Sequence, residues 1–327
     1  MKSGPILLGE TPSLAFFHRF KRGPALALAN WLYSKRPSTS RTSQSQNSLT
    51  SSPQNQSGTT DAIPVTVVCI SDTHSTTPTM PPGDILLHAG DLTIKGTFAE
   101  LQSHLDWLNT LPHQHKIVIG GNHDLLLDDE FVSSFPERIF PKAGEERIDL
   151  EWGSVTYLNN NKTTLTVRGR EVAVFGSPMT PRSGNWAFQY PPIRDVWKDA
   201  IPARTDIFLT HGPPKGHLDN DMGSKGCEWL NRELWRTRPS LVVFGHIHAG
   251  RGREDLSWDH VQRVYDGVQV GEKGFGSVIS MAVLLVVQKV WQMLSKRKRA
   301  GTTTLINAAV VGGRGNCEHF SPIVVEI

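Results

Sequence analysis

From residue 61 onward the chain alternates short apolar runs with polar punctuation. The runs at 65–70 (VTVVCI), 85–88 (ILLH), 116–119 (KIVI), 171–175 (EVAVF), 206–209 (DIFL) and 241–244 (LVVF) are rich in β-branched residues and bounded by Gly, Pro, Asp and Asn. Apolar stretches this short predict strands buried on both faces rather than helices. Between them, 97–108 repeats its apolar positions at helical spacing and 227–236 (CEWLNRELWR) follows a Gly-containing turn, so both predict helices. Alternation of strands and helices predicts an α/β domain. A further pair of strands is expected at 303–310 and 323–327, and no internal repeat is visible.

Three stretches depart from this pattern. Residues 34–62 are dominated by Ser, Thr, Gln, Asn and Pro, too polar to offset the entropy of folding, and predict a disordered linker. Ahead of it, 14–33 (LAFFHRFKRGPALALANWLY) mixes apolar and basic residues without an acid. The extension 1–33 therefore reads as a targeting segment or a membrane-surface helix, or as a loosely docked tail. Residues 274–288 (GFGSVISMAVLLVVQ) are uncharged, and Lys289 and the run Lys296-Arg297-Lys298-Arg299 follow. That stretch is shorter than the roughly 20 residues needed to span a bilayer. A single crossing would also part 303–310 from the sheet. Segment 275–299 is thus expected to pack on its own domain, meet a partner, or touch a membrane peripherally, its basic end suiting anionic headgroups. The expected organisation is a single domain over 63–327 with an apolar-then-basic insertion at about 272–300.

Charge adds one distinction. The 327 residues carry a formal net charge of +3, but residues 1–60 hold seven basic side chains against Glu10 alone, leaving −3 on residues 61–327. The body is not a basic nucleic-acid-binding surface, and no stable nucleic-acid partner is expected. Cys69, Cys227 and Cys317 lie far apart, which excludes a disulfide framework and suits a reducing compartment. An intracellular, cytoplasmic location is expected, with mitochondrial or membrane-peripheral placement left open by the extension.

The candidate chemistry lies where the apolar runs stop. Run 65–70 leads into Ser71-Asp72-Thr73-His74, and 85–88 into Ala89-Gly90-Asp91. Run 116–119 leads into Gly120-Gly121-Asn122-His123-Asp124, 206–209 into Thr210-His211-Gly212-Pro213-Pro214, and 241–244 into Gly245-His246-Ile247-His248. Ligands in open α/β sheets sit outside the carboxyl ends of the strands, so five such endings predict one convergent site. Asp72, His74, Asp91, Asn122, His211, His246 and His248 offer O and N donors without thiolate, a set suited to Mn, Fe, Zn or Mg. They are numerous enough for two divalent ions, which together can clamp a phosphoryl group, and Asp91 is the candidate bridge. In Asp-x-His and His-x-His, extended backbone would turn both side chains the same way. His88 reads as a satisfied core residue, and His113 and His115 as solvated loop residues. In the loop after 176–178, Arg182 is a candidate for holding a phosphate oxygen, and Trp186 or Phe188 for stacking on a base, with simple packing the plainer role for Trp186.

These five ordered blocks resemble those of the calcineurin-like metallophosphoesterases. Gly176-Ser177-Pro178, Asn185-Trp186-Ala187-Phe188, His211-Gly212-Pro213-Pro214 and Asn307-Ala308-Ala309 are similar to the metallophosphoesterase-domain-containing subgroup, itself similar to class III cyclic nucleotide phosphodiesterases. The resemblance implies a four-layer α/β/β/α sandwich and a dinuclear centre, manganese first among the metals. Asp72, His74, Asp91 and His248 would hold one ion, and Asp91, Asn122, His211 and His246 the other. His123, oriented by Asp124, would protonate the leaving oxygen or stabilise charge on the phosphate. The implied substrate is a small phosphodiester, a nucleotide among the candidates, or a phosphomonoester. The competing readings are a scaffold with a relic metal site, and a protein phosphatase or nuclease on the same ligands.

Overall fold

Each of the six apolar runs forms a strand, and the two-sided burial of the first shows why. In β1 (Thr66–Ile70), Val67 and Cys69 face one side and Val68 and Ile70 the other, and all four are fully buried. The computed structural model describes residues 23–36, 63–139, 142, 144–219, 225–294, 301–313 and 315–327. Residues 1–22, most of the expected linker and the run 296–299 lie outside the described residues. Beside β1 run β2 (Ile85–His88), β3 (His115–Val118) and β4 (Val155–Tyr157), each parallel to its neighbour. A second sheet contains β5 (Asn161–Val167), β6 (Arg170–Ser177), β7 (Ile207–Thr210), β8 (Leu241–Phe244), β9 (Gly252–Ser257) and β10 (Thr302–Asn307), in the spatial order β9-β10-β8-β7-β6-β5. The first sheet is completed by β11 (Ile323–Glu326), antiparallel to β1.

The described helices are α1 (Pro24–Ser34), α2 (Phe98–Thr110), α3 (Asp129–Ser134), α4 (Glu228–Thr237), α5 (His260–Gln269) and α6 (Phe275–Leu294). Val67, Leu87, Ile117, Val174, Leu209, Val243 and Ile306, drawn from both sheets, share one apolar core, so the sheets pack face to face. On the outer side of the first sheet, Val68, Leu86 and Val118 pack with Leu101, Leu105 and Leu108 of α2. That helix starts at a capping box in which Thr97 and Glu100 satisfy each other's backbone N–H groups. Outside the second sheet, Trp197 packs edge-on against Phe208 and donates to the Tyr190 hydroxyl. Tyr190 in turn donates to Cys227 Sγ, the N-cap of α4. Helix, sheet, sheet, helix is the expected α/β/β/α arrangement.

Some expectations fail for identifiable reasons. The strands expected at 303–310 and 323–327 form but do not pair with each other, because β10 joins β8 and β11 joins β1. The hairpin partner β5 was not anticipated, since its NKTTLTV sequence buries only alternate positions, Leu165 and Val167. His113 is buried, 4% exposed, with Nε2 on the Pro81 carbonyl at 3.0 Å, rather than solvated, and His115 opens β3.

The chain divides into two compact units, residues 39–255 with 303–327, and residues 1–38 with 256–302. The second carries α1, α5 and α6, and so includes part of the N-terminal extension beside the segment expected as an insertion. Its core is Ala29, Val261, Tyr265, Val268, Val278, Met281 and Leu285. Tyr33 stacks on Tyr265 at 3.9 Å and donates to Gln262 Oε1 at 2.6 Å, and Arg36 pairs with Asp259, the N-cap of α5. Among the described residues no helix is long and apolar enough to cross a membrane.

Behind β1, two buried histidines share one hydroxyl. Thr73 Oγ1 donates to the Leu92 carbonyl and lies 2.9 Å from His88 Nε2 and 3.2 Å from His104 Nε2. With the hydroxyl proton spent on Leu92, both rings donate through Nε2 and both are neutral. Burial lowers the His104 pKa from 6.5 to about 3. A depressed histidine stabilises the fold above its unfolded pKa and loses that contribution as pH falls toward the folded value. Urea unfolding should therefore show His104 costing about 2 kcal/mol between about pH 7 and pH 5. The His104→Gln variant, which keeps a donor, should lack that share of the acid loss.

Candidate metal centre

The strand register delivers the polar endings to one edge. Ile70 lies opposite His88 and His88 opposite Val118, while Leu209 lies opposite Val243 in the second sheet. At that edge the sheets are tied together, with Ser71 N–H donating to the Ala308 carbonyl and Val310 N–H to the Ser71 carbonyl, both at 2.9 Å. The backbone then departs from extended geometry. Asp72, His74, Asp91 and His246 have φ of 54°, 43°, 54° and 65°. Left-handed residues other than Gly cost of order 1–3 kcal/mol each and persist where surrounding structure holds them. The side chains of Asp72 and His74 thus converge through left-handed turns and not through the strand alternation expected from sequence.

Three overlapping groups of ligand atoms result, each within 4.8 Å of one another: Asp72, His74 and His248; His74, Asp91 and His123; Asp91, His211 and His246. Asp72 accepts the His246 N–H at 3.0 Å, and its Oδ1 lies 3.2 Å from His248 Nε2. Asp91 Oδ1 accepts the His123 N–H at 2.8 Å and lies 3.3 Å from His211 Nε2. Asn122 Oδ1 lies 3.1 Å from the same His211 nitrogen.

The far nitrogen of four of the five imidazoles is held by an acceptor. Nδ1 of His74 faces the Thr93 carbonyl at 3.2 Å, that of His211 the Ala89 carbonyl at 2.8 Å, and that of His123 the Ile94 carbonyl at 2.7 Å. Nδ1 of His248 faces Asn316 Oδ1 at 3.1 Å. Such acceptors fix the proton on Nδ1 and leave the Nε2 lone pair to the centre. His211 Nε2 then confronts two oxygens, and His74 Nε2, buried without a hydrogen-bond partner, lies 3.8 Å from Asp91 Oδ2. Lone pairs and carboxylates converging in this way need positive charge between them, so the donor set fits divalent cations.

The protonation equilibria follow the same demand. Burial alone would depress His211, but Asp91 outweighs it and raises the imidazole to about 9. Burial would raise Asp91, but the surrounding histidines hold its carboxyl far below the usual range. Away from a direct carboxylate contact, burial wins and takes His246 down to about 4.

Two expected roles change. The hydrogen bonds of Asp124 go elsewhere than to the His123 ring. Its carboxylate accepts from Leu92 N–H, Thr93 N–H, Thr93 Oγ1 and Gly121 N–H, at 3.1, 3.0, 2.7 and 2.8 Å, and so ties the Asp91 loop to the Asn122 loop. Burial first, and Asp91 second, raise it to about 6. His123 is oriented instead by Ile94, by the His74 ring at 4.8 Å, and by Trp186 at 4.4 Å. Arg138 lies over the Trp186 ring at 5.3 Å, so that indole is engaged by His123 and Arg138 rather than open to a base. Phe188 is buried, and Arg182 is exposed with its N–H donating to the Tyr190 carbonyl. The backbone acceptors at Ala89, Thr93 and Ile94, and Asn316, were missed, since a carbonyl carries no sequence signal.

Close approach explains two glycines. A Cβ on Gly121 would strike Asp91, and one on Gly245 would strike Asp72 Oδ2 and Ser71 Oγ. Gly245→Ala should therefore displace the Asp72 carboxylate. The metal content of that variant, measured by mass spectrometry, should fall, because the carboxylate would leave the donor set.

Comparison with known proteins bears on this site. The chain is 39% identical over 324 residues to a protein of Emericella nidulans named probable rhamnogalacturonate lyase C, covering 98% of this chain but 28% of that one. It is 40% identical over 203 residues to metallophosphoesterase domain-containing protein 1 of Homo sapiens, covering 57% of this chain and 61% of that one. A UPF0046 protein of Caenorhabditis elegans is 37% identical over 213 residues, 58% of this chain and 52% of that one. The chain thus spans less than two thirds of the length of each. Residues 65–250, which contain all five strand-end motifs, match the family model for calcineurin-like phosphoesterases, and the chain belongs to that family.

Proposed function

We propose that this protein is a hydrolase of phosphodiesters, cyclic nucleotides among them, or of phosphomonoesters, working with two divalent cations, manganese first. The observation that carries the reading is the position of Asp91, whose carboxylate belongs both to the His74 group and to the His211–His246 group. Asp72, His74, Asp91 and His248 would hold one cation, and Asp91, Asn122, His211 and His246 the other. Bound there, the cations would supply the charge that stabilises the phosphoryl oxygens and acidifies a water.

The chain's own residues do the remainder. His123 is half-buried, and its Nδ1 is committed to Ile94, so Nε2 is the atom left to pass a proton to the leaving oxygen. Trp186 keeps that ring from swinging, and Asp124 holds the two loops at their spacing. With Trp186 engaged on its own neighbours, selectivity for a base has no stacking platform there.

Purified protein with Mn2+ should turn over an activated aryl phosphodiester, and chelation should stop it. Relative rates on cyclic nucleotides, an aryl monoester and a phosphopeptide would rank the substrate classes. Absence of turnover with Mn2+, Fe2+, Zn2+ and Mg2+ on all of them would overturn the reading.

A further inference from the structure

α6 reverses the ordinary distribution of a surface helix. Val278, Met281 and Leu285 pack into the helical unit's core. On the other side Phe275, Ile279, Val283, Val286, Val287 and Val290 are between 45% and 63% exposed. At about 100° per residue these six occupy a stripe about 120° wide. No charged residue falls within the stripe, and Lys289 stands at its edge. A stripe this long, apolar and solvent-facing marks an interaction surface.

Charge identifies the partner. The sequence from Lys273 to Cys317 contains no Asp or Glu, while Lys289, Lys296, Arg297, Lys298 and Arg299 gather at and beyond the carboxyl end of α6. This lies in a body whose net charge is otherwise acidic. A second copy would bring the same basic run and no acid from this segment to meet it. An anionic lipid surface matches both features, since apolar side chains enter the headgroup boundary and basic ones meet the headgroups. We propose that α6 lies in the plane of an anionic lipid bilayer with its Phe275–Val290 stripe inserted, the basic sequence that follows favouring anionic over neutral lipid. The proposal is independent of the phosphoesterase reading.

The full chain should co-sediment with vesicles of phosphatidylcholine plus phosphatidylserine at least about tenfold more than with phosphatidylcholine alone, and salt should weaken the binding. The double variant I279D/V283D changes only solvent-facing positions and should bind about tenfold less, with circular dichroism and the unfolding midpoint unchanged. Replacing Lys296, Arg297, Lys298 and Arg299 with Glu should remove the preference for phosphatidylserine. Failure of the full chain to sediment with either vesicle overturns the proposal, as does equal binding by I279D/V283D. A dimer in light scattering that I279D/V283D converts to monomer, without vesicle binding, assigns the stripe to a second copy and also overturns it.

Discussion

On the proposed phosphoesterase reading, Asp91→Ala abolishes hydrolysis, a fall of at least about a thousandfold, because losing a doubly shared carboxylate removes several kcal/mol of charge stabilisation. The substitution acts at three points at once. It takes the negative charge away from His74 and His211, leaves the His123 N–H without its acceptor, and puts Ala at φ 54°. The last two also cost stability, so Asp91→Ala alone would confuse a lost site with a lost fold. Asp91→Asn separates them. Asn tolerates the left-handed backbone and still accepts from His123, but carries no charge. The expected result is an Asn variant that unfolds near the wild-type midpoint, binds less metal by mass spectrometry and turns over aryl phosphodiester no faster than the Ala variant. An Asn variant with near-wild-type turnover would remove Asp91 from its bridging place.

His123→Gln comes next in size, with kcat expected to fall about a hundredfold to ten-thousandfold, the usual contribution of a positioned proton donor. The ring is half-buried between His74 and Trp186 and bonded to Ile94, so its loss disturbs few other contacts. A proton donor and a cation ligand predict different readouts. As a donor, the His123→Gln variant keeps the wild-type metal content, and its penalty shrinks on substrates with good leaving groups, which need less protonation. As a ligand with His74 and Asp91, the variant loses metal, and the penalty is the same for every leaving group. Trp186→Ala, which frees the ring without removing it, should reproduce a smaller part of the same kcat loss with KM little changed.

The core and the convergence of the candidate ligands were legible in the sequence for the same reason. Both are written locally: a two-sided buried strand is a continuous apolar run, and five of the six runs here stop at an Asp, Asn or His motif. What the sequence hid depends on contacts between distant segments. β5 escaped because one of its faces is polar. Asp124 was assigned to its sequence neighbour His123, although its partners are Leu92, Thr93 and Gly121. The helical unit joins residues 24–36 to residues beyond 256, a separation no periodicity signals. The left-handed turns at Asp72 and His74 carry no signature either, since Asp and His are equally at home in extended backbone.

The tie between Ser71 and the Ala308–Val310 segment has a kinetic consequence. Asp72 sits one residue beyond it and receives the amide of His246, so the site closes only when residues near 71, 246 and 309 meet. Contacts of such sequence separation form late, after loop closure has been offset by other structure. Metal affinity should therefore appear with the last folding phase. In a denaturant titration, loss of metal should coincide with global unfolding rather than precede it.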